Sequence, residues 1–548
     1  MLLAIHDVSF PSDADEDLGR GSPVTRAAAR LLAYAASLGF TGIQLGPQGQ
    51  TSRDNPSPYD GTIFSRHLGN LSLHSLRAGG AFEGLLDEAV LDRSVTRVAD
   101  HRHAHDATHA LVGAAYDALD ARPDLRDRLA AFRRANAGWL DDDALYAAIA
   151  ADHEQRGFRD WPEHLRDIEH ARPHAAHHAR AIDRYAFGQF LVHAEHQRLR
   201  ASCPLLLYGD LQVGYSDRDA WAYAATFLHD YRMGAPPSRT NPDGQPWNYP
   251  VLDPDQYGGR VRDLVAMRAD KSFAEYDSLR IDHPHGLICP WVYSTEGSPA
   301  EAVRAGTRLF ESPDVLARFA IVRPDQLDPE QPRYGDHWVT SLDAAQVDRF
   351  ATLFDILVDS ARRHGRAVDD LSCEVLSTMP RPLGAVIAKY ALGRWRITQK
   401  ADLGDPADVY RAENASRNDW VMLGNHDTAP VFSLLKTWAP EHRERWARHL
   451  AAKLRLAHPE RLVLPGFFAS AMLAELFLSP AENVSIFFAD LFGYEERFNV
   501  PGLVADENWS LRLPADFEAM HADRLARSAA LDLRLALDLA LAAQEHGA

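Results

Sequence analysis

Paired cysteines, a long apolar run, a basic leading segment and an excess of positive charge are all missing from this chain of 548 residues. Three cysteines occur, Cys203, Cys289 and Cys373. Odd in number and far apart, they argue against a disulfide framework or a CxxC metal site and suit a reducing compartment. No stretch reaches the roughly eighteen uninterrupted apolar residues of a membrane span. The opening MLLAIHDVSFPSDADEDLGRG has too short an apolar run for a signal peptide, no basic lead, and turns acidic by Asp13; a soluble cytoplasmic protein is expected. The formal net charge of −19 repels phosphate backbones and anionic lipid, which argues against nucleic acid and membrane partners and favours a neutral or cationic ligand. Internal repeats and Pro/Ser/Gly linkers are also lacking, so 1–548 reads as a single elaborated catalytic domain.

What is present is an ordinary globular balance, 46% hydrophobic and 25% charged, able to bury a large core. Short runs rich in Leu, Ile and Val end in Gly, Pro, Asp or His, with longer Ala, Leu and Arg segments of helical period between them. LLAIHDVSF, TGIQLGP, PLLLYGDLQVGY, SLRIDHPHGL, LSCEVL and DWVMLGNHD read as strands with polar residues at their downstream ends. That arrangement predicts an α/β fold, a TIM (β/α)8 barrel whose active site is gathered from the loops after each strand, with helical and loop insertions. Residues 78–199 read as a mostly helical insertion subdomain, 300–346, Pro and Asp rich, as an extended surface insertion, and LARSAALDLRLALDLALAAQEH as an amphipathic terminal helix.

The charged strand ends point to chemistry. Arg280 and Asp282 lie two apart and project from one face of a strand, where a guanidinium can hold a carboxylate ionised as a nucleophile requires. Glu374, between Cys373 and Val375, sits in surroundings apolar enough to raise its pKa and keep it protonated as a general acid. His426 and Asp427, in GNHDTAP, can present hydrogen-bond partners to vicinal hydroxyls. Three acids on three strand ends suit glycosidic chemistry. Singly, RxD is also a structural ion pair and HD a cap or turn. The histidine groups HRHAHDATHA and PHAAHHAR lack HExxH spacing and read as solvated helix faces rather than metal sites.

Further segments extend the pattern. LGFTGIQLGPQGQTSRDNPSPYDG, RDWPEHLRD, LYGDLQVGYSDRDAWA, MGAPPSRTNPDGQPWNYPVLD and FFADLFGYEERFNVPGLVADENWSLRLP follow one another in order around SLRIDHPHG and GNHD. Together they resemble, colinearly to about Arg512, the 4-α-glucanotransferases of glycoside hydrolase family 77, also called amylomaltases or disproportionating enzymes. The resemblance implies transfer of α-1,4-glucan segments between maltooligosaccharides by a retaining double displacement, with Asp282 as nucleophile, Glu374 as acid and then base, and Asp427 as the third catalytic acid. It also implies Arg280 as charge partner, His426 and Asp427 binding hydroxyls at the cleavage point, Tyr59 as an aromatic platform, and Asp210 supporting the nucleophile. Gln245 and Trp247 would lie on a loop covering the acceptor side, and Asn499 on the donor side. Neither a metal nor an organic cofactor is implied. The carboxyls of Asp282 and Glu374 are expected about 5 to 5.5 Å apart. The chain departs from the family where EDLG reads Glu374-Val375-Leu376-Ser377, where GTHDND reads Gly424-Asn425-His426-Asp427-Thr428-Ala429, at Ser238 and Arg239 of the covering loop, and at His285, which replaces the arginine of RIDHFRG. An α-glucan hydrolase and a glucan-binding protein with weakened catalysis remain as alternatives.

Overall fold

The computed structural model of the chain describes residues 1–78, 97–238, 241–311, 316–502 and 505–545. Eight short parallel strands form one sheet: β1 (Leu2–Ile5), β2 (Gly42–Leu45), β3 (Leu206–Leu211), β6 (Ser278–Ile281), β9 (Leu371–Cys373), β10 (Trp395–Ile397), β11 (Trp420–Met422) and β12 (Asn483–Phe487). Their order is β10-β11-β12-β1-β2-β3-β6-β9, and a parallel bridge from Cys373 to Arg394 joins the two ends. The strands therefore close into the expected (β/α)8 barrel. Outside β3, whose Leu206, Tyr208 and Asp210 face is more open, nearly all their residues are buried, which explains why they read in the sequence as near-continuous apolar runs. Two barrel strands, β10 and β12, were not among the six expected from the sequence.

Helices between the strands present one apolar stripe inward. Ala344–Arg363, for example, starts at a capping box made by Asp343 and Gln346 and buries Phe350, Phe354, Leu357 and Ala361. It packs on the helix Arg260–Glu275 that leads into β6.

Between β2 and β3 lie the helices His101–Asp117, Pro123–Asp152 and Ala179–Ser202; residues 79–96 of the expected helical insertion lie outside the described residues. Trp139, Leu140, Leu145 and Ile149 of the second helix belong to the same buried cluster as the barrel strands. The 300–346 stretch is less superficial than expected: Phe310, Phe319, Ile321, Val322 and Val339 are buried in that core, so its Pro and Asp content marks turns rather than full solvation.

A second, antiparallel sheet was not foreseen. It comprises β4 (Phe227–Ala235), β5 (Gln245–Leu252), β7 (Trp291–Ser294) and β8 (Thr307–Arg308), in the order β5-β4-β7-β8. It grows out of the loops after β3 and β6 and so stands over the C-terminal end of the barrel. The β4–β5 turn passes through Gly244 at φ +70°, where a Cβ would come within 2.8 Å of the Ala235 carbonyl oxygen, a conformation and a space that favour glycine. The expected C-terminal helix runs Leu533–Glu545.

Candidate active site

Strand register assembles the site. On the β3–β6 pair Asp210 stands opposite Arg280; on β6–β9 Ile281 stands opposite Cys373. The next residue of each strand continues the ladder, the Asp282 amide donating to the Leu211 carbonyl and the Glu374 amide to the Ile281 carbonyl, both at 3.0 Å. Three neighbouring strands thus deliver Asp210, Asp282 and Glu374 to one place, at the end of the barrel where TIM-barrel enzymes keep their chemistry.

Arg280 is the hub. Its Nη1 donates to both oxygens of Asp210 at 2.6 and 2.7 Å. Its Nη2 lies 3.1 Å from Asp282 Oδ1 and 2.7 Å from Glu374 Oε1. The guanidinium rests over the Trp395 ring on β10, 5.0 Å from its centroid. One nitrogen shared by the two carboxylates keeps their nearest oxygens within about 6 Å of each other.

Three buried carboxyls around one cation cannot all stay ionised. Burial pushes Asp282 well above the usual carboxylate range, against the pull of Arg280. Burial acts on Glu374 too, but the Arg280 guanidinium, with Asp282 close by, outweighs it and holds that carboxyl down, to about 2. The two carboxyls are thus pushed in opposite directions, Asp282 up and Glu374 down, whereas the local sequence around Glu374 favoured a raised value. The apolar neighbours Cys373 and Val375 point into the core, and what faces Glu374 is a guanidinium contributed 94 residues earlier in the chain. The pair titrates as a unit, with one proton between them.

The remaining expected residues gather around this hub. The Tyr59 hydroxyl donates to Asp210 Oδ2 at 3.0 Å, and its ring stacks on His426 with centroids 5.3 Å apart. Asp427 accepts from Asn499 Nδ2 at 2.6 Å and has His426 Nε2 at 3.5 Å. Its turn is braced by the Asp427 amide, which donates to Asn425 Oδ1, and by the Asn425 amide, which donates to Thr428 Oγ1; two of the three departures from GTHDND thus hold the loop. On the covering hairpin Trp247 Nε1 donates to Gln245 Oε1, and the Trp247 ring meets His283 edge-on at 4.8 Å. Tyr249 of β5 donates to Asp60 at 2.8 Å, tying the hairpin to the loop that carries Tyr59. Ser238 lies on the loop joining β4 and β5; Arg239 is outside the described residues.

The sequence profile of the family described as glycoside hydrolase 77, 4-alpha-glucanotransferase, matches residues 5–517. The chain belongs to this family. It is 23% identical over 506 residues to the chloroplastic/amyloplastic 4-alpha-glucanotransferase of Solanum tuberosum, covering 86% of this chain and 75% of the relative. It is 29% identical over 292 residues to the enzyme named DPE1 of Oryza sativa, covering 48% of each, so the matched stretch spans about half the length of that relative. The Thermus thermophilus 4-alpha-glucanotransferase is 24% identical over 445 residues, 76% of each chain. Among solved structures, the amylomaltase of Streptococcus agalactiae in complex with acarbose superposes with a TM-score of 0.75 at 17% identity, over 97% of this chain and 99% of that one. The Corynebacterium glutamicum amylomaltase gives 0.66 at 16%, over 97% and 75%. At these identities the structural likeness establishes the fold.

Within the glycoside hydrolase 77 chain, several site neighbours escaped the sequence reading. His6, at the end of β1, is buried with neither ring nitrogen hydrogen-bonded, and packs on His426, Phe498 and Trp509 with ring centroids 4.9, 5.1 and 5.3 Å away. Burial, with His426 and Arg280 nearby, lowers its pKa well below the usual histidine value, so it is a neutral imidazole. The strand-end rule that selected Asp282 would have selected it as well. Gln44 on β2 donates to Asp210 at 3.4 Å. A group with metal-ligand potential, Glu413, His449 and Glu475, lies away from the strand ends on the short 3-10 helix Ala412–Asn414 and two α-helices, Pro440–Lys453 and Pro465–Phe477; there His449 Nε2 and Glu475 Oε1 already hydrogen-bond at 2.5 Å.

Proposed function

We propose that this protein is a 4-α-glucanotransferase that moves α-1,4-glucan segments between maltooligosaccharides through a covalent glucosyl-enzyme. The observation that carries the reading is the pair Asp282 and Glu374 on a single guanidinium nitrogen at the ends of adjacent strands. Asp282 attacks the anomeric carbon as the glycosidic bond breaks, and Glu374 protonates the departing oxygen. In the second half Glu374, now a base, takes the proton of an acceptor hydroxyl, which attacks the same carbon and releases Asp282. Asp427, Asn499 and His426 hold the hydroxyls of the sugar at the cleavage point, and Tyr59 contributes an aromatic wall. The hairpin bearing Gln245 and Trp247 keeps water from the intermediate, so that a sugar hydroxyl arrives instead. A cytoplasmic setting fits three free thiols and the lack, among described residues, of any helix long and apolar enough to cross a membrane.

Incubation with maltotriose, followed by chromatography and an assay of total reducing ends, tests this. The expected result is a ladder of longer and shorter maltooligosaccharides with glucose, at constant reducing ends. Rising reducing ends would establish a hydrolase, and unchanged maltotriose would count for a glucan-binding protein.

A further inference from the structure

The segment that follows Glu374 reads Val375-Leu376-Ser377-Thr378-Met379, without the residues usual after the acid, and it is held from outside. Arg394 donates to the carbonyls of Val375 and Leu376. His285 Nε2 donates to the Thr378 carbonyl at 3.2 Å. The Met379 amide donates to Asp336 Oδ2 at 2.9 Å. Glu374 itself sits on a tight turn, with the Val375 amide donating to the Cys373 carbonyl at 2.8 Å, so any rotation of the following segment turns the acid.

Two of these anchors come from places with no other assigned task. His285 is buried beside the nucleophile loop, its ring 4.7 Å from that of His283. His283, next to Asp282, is itself held at φ +43°, a backbone conformation uncommon outside glycine. With Nε2–H committed to Thr378, the buried Nδ1 has no partner; a buried imidazole left half satisfied points to a side chain placed for its one bond. Asp336 belongs to the 300–346 stretch, which is pinned close by through the Arg381 side chain donating to the Val339 carbonyl at 2.9 Å and through the bridge between Leu327 and Val339.

We propose that His285 and Asp336 are positioning residues for the acid–base step: they clamp Thr378 and Met379 and thereby fix the direction in which Glu374 presents its carboxyl. The inference rests on the glucanotransferase reading and gives the 300–346 stretch a task within it. Neither side chain touches the reacting atoms; each acts through the backbone that carries the acid.

A pair of donors separates aiming from general damage. Maltotriose needs a proton on its leaving oxygen, whereas α-maltotriosyl fluoride loses fluoride without one. His285→Phe keeps a ring against His283 and removes the N–H; Asp336→Ala removes the acceptor. Each is expected to lower kcat on maltotriose about tenfold or more while changing the burst of fluoride release by no more than about twofold, general acid help being worth ~10²–10⁴ in full. His285→Gln, whose amide N–H reaches as far as Nε2, and Asp336→Asn, whose carbonyl still accepts, should recover most of the loss. Equal falls on both donors, or no fall on maltotriose, would overturn the clamp. A wild-type protein inactive on both donors would overturn the glucanotransferase reading, and the clamp with it.

Discussion

On one side of the cleft Asp210, Asp282 and Glu374 crowd around a single guanidinium, their side chains 0, 12 and 7% exposed; on the other, Asp427 keeps 38% of its side chain in solvent and leans on Asn499 and His426. The first wall is made by strand register and long-range charge, and a single proton serves two of its acids. The second is made by loops, where Asn425 and Thr428 have taken over the bracing. Chemistry that depends on a shared proton needs the dry, rigid wall, whereas binding of hydroxyls tolerates a wetter one.

Substitutions on each side should differ in kind. The largest effect is expected for Asp282→Asn, which removes the proposed nucleophile and should lower transfer by about 10⁴-fold or more, measured as maltotriose consumption. Next, Arg280→Met leaves buried carboxyls without their cation and should destabilise the fold by ~3–5 kcal/mol in denaturant titration at neutral pH. That gap should narrow in acid. Glu374 has a depressed folded pKa, so its contribution is present above the ordinary carboxylate range near ~4.3 and is lost as pH falls towards about 2.

Asp282 carries the opposite sign. With its folded pKa raised, the folded state binds the extra proton, so this group lowers stability progressively as pH climbs above its unfolded value of ~3.9. Asp282→Asn should therefore have a higher Tm than the wild type at pH 8 and an equal one near pH 3.5; equal values throughout would break the account of the dry wall. On the wet wall, Asn499→Ala removes the 2.6 Å hydrogen bond to Asp427. It should cost ~1–2 kcal/mol of transition-state binding, roughly tenfold in kcat/KM, with little change in Tm. The smallest effect is expected from Trp247→Ala, which opens the hairpin over His283 and should raise the reducing ends released per transfer about two- to fivefold.

Much of the dry wall was legible in the sequence because it is local: Arg280 and Asp282 two apart on a strand, Glu374 after an apolar run, Asp210 after another. Three things were not. The strand β10 is only Trp395–Ile397, and β12 runs straight into the helix Phe488–Leu491, so neither shows a period that distinguishes strand from buried helix. The antiparallel sheet draws on the segment after the nucleophile, Trp291–Ser294, where nothing in the local pattern announces pairing with Tyr231–Gly234. The downward pull on Glu374 also eluded the sequence, since local apolarity favoured a raised value and only the folded chain brings Arg280 to it.

Trapping of the intermediate tests the central claim most directly. Glu374→Gln incubated with α-maltotriosyl fluoride should glycosylate without acid help and then stall for want of a base. Mass spectrometry of its peptides is expected to show a maltotriosyl adduct on the peptide containing Asp282. An adduct on the peptide containing Asp427, or fluoride release with no adduct on either, would contradict it.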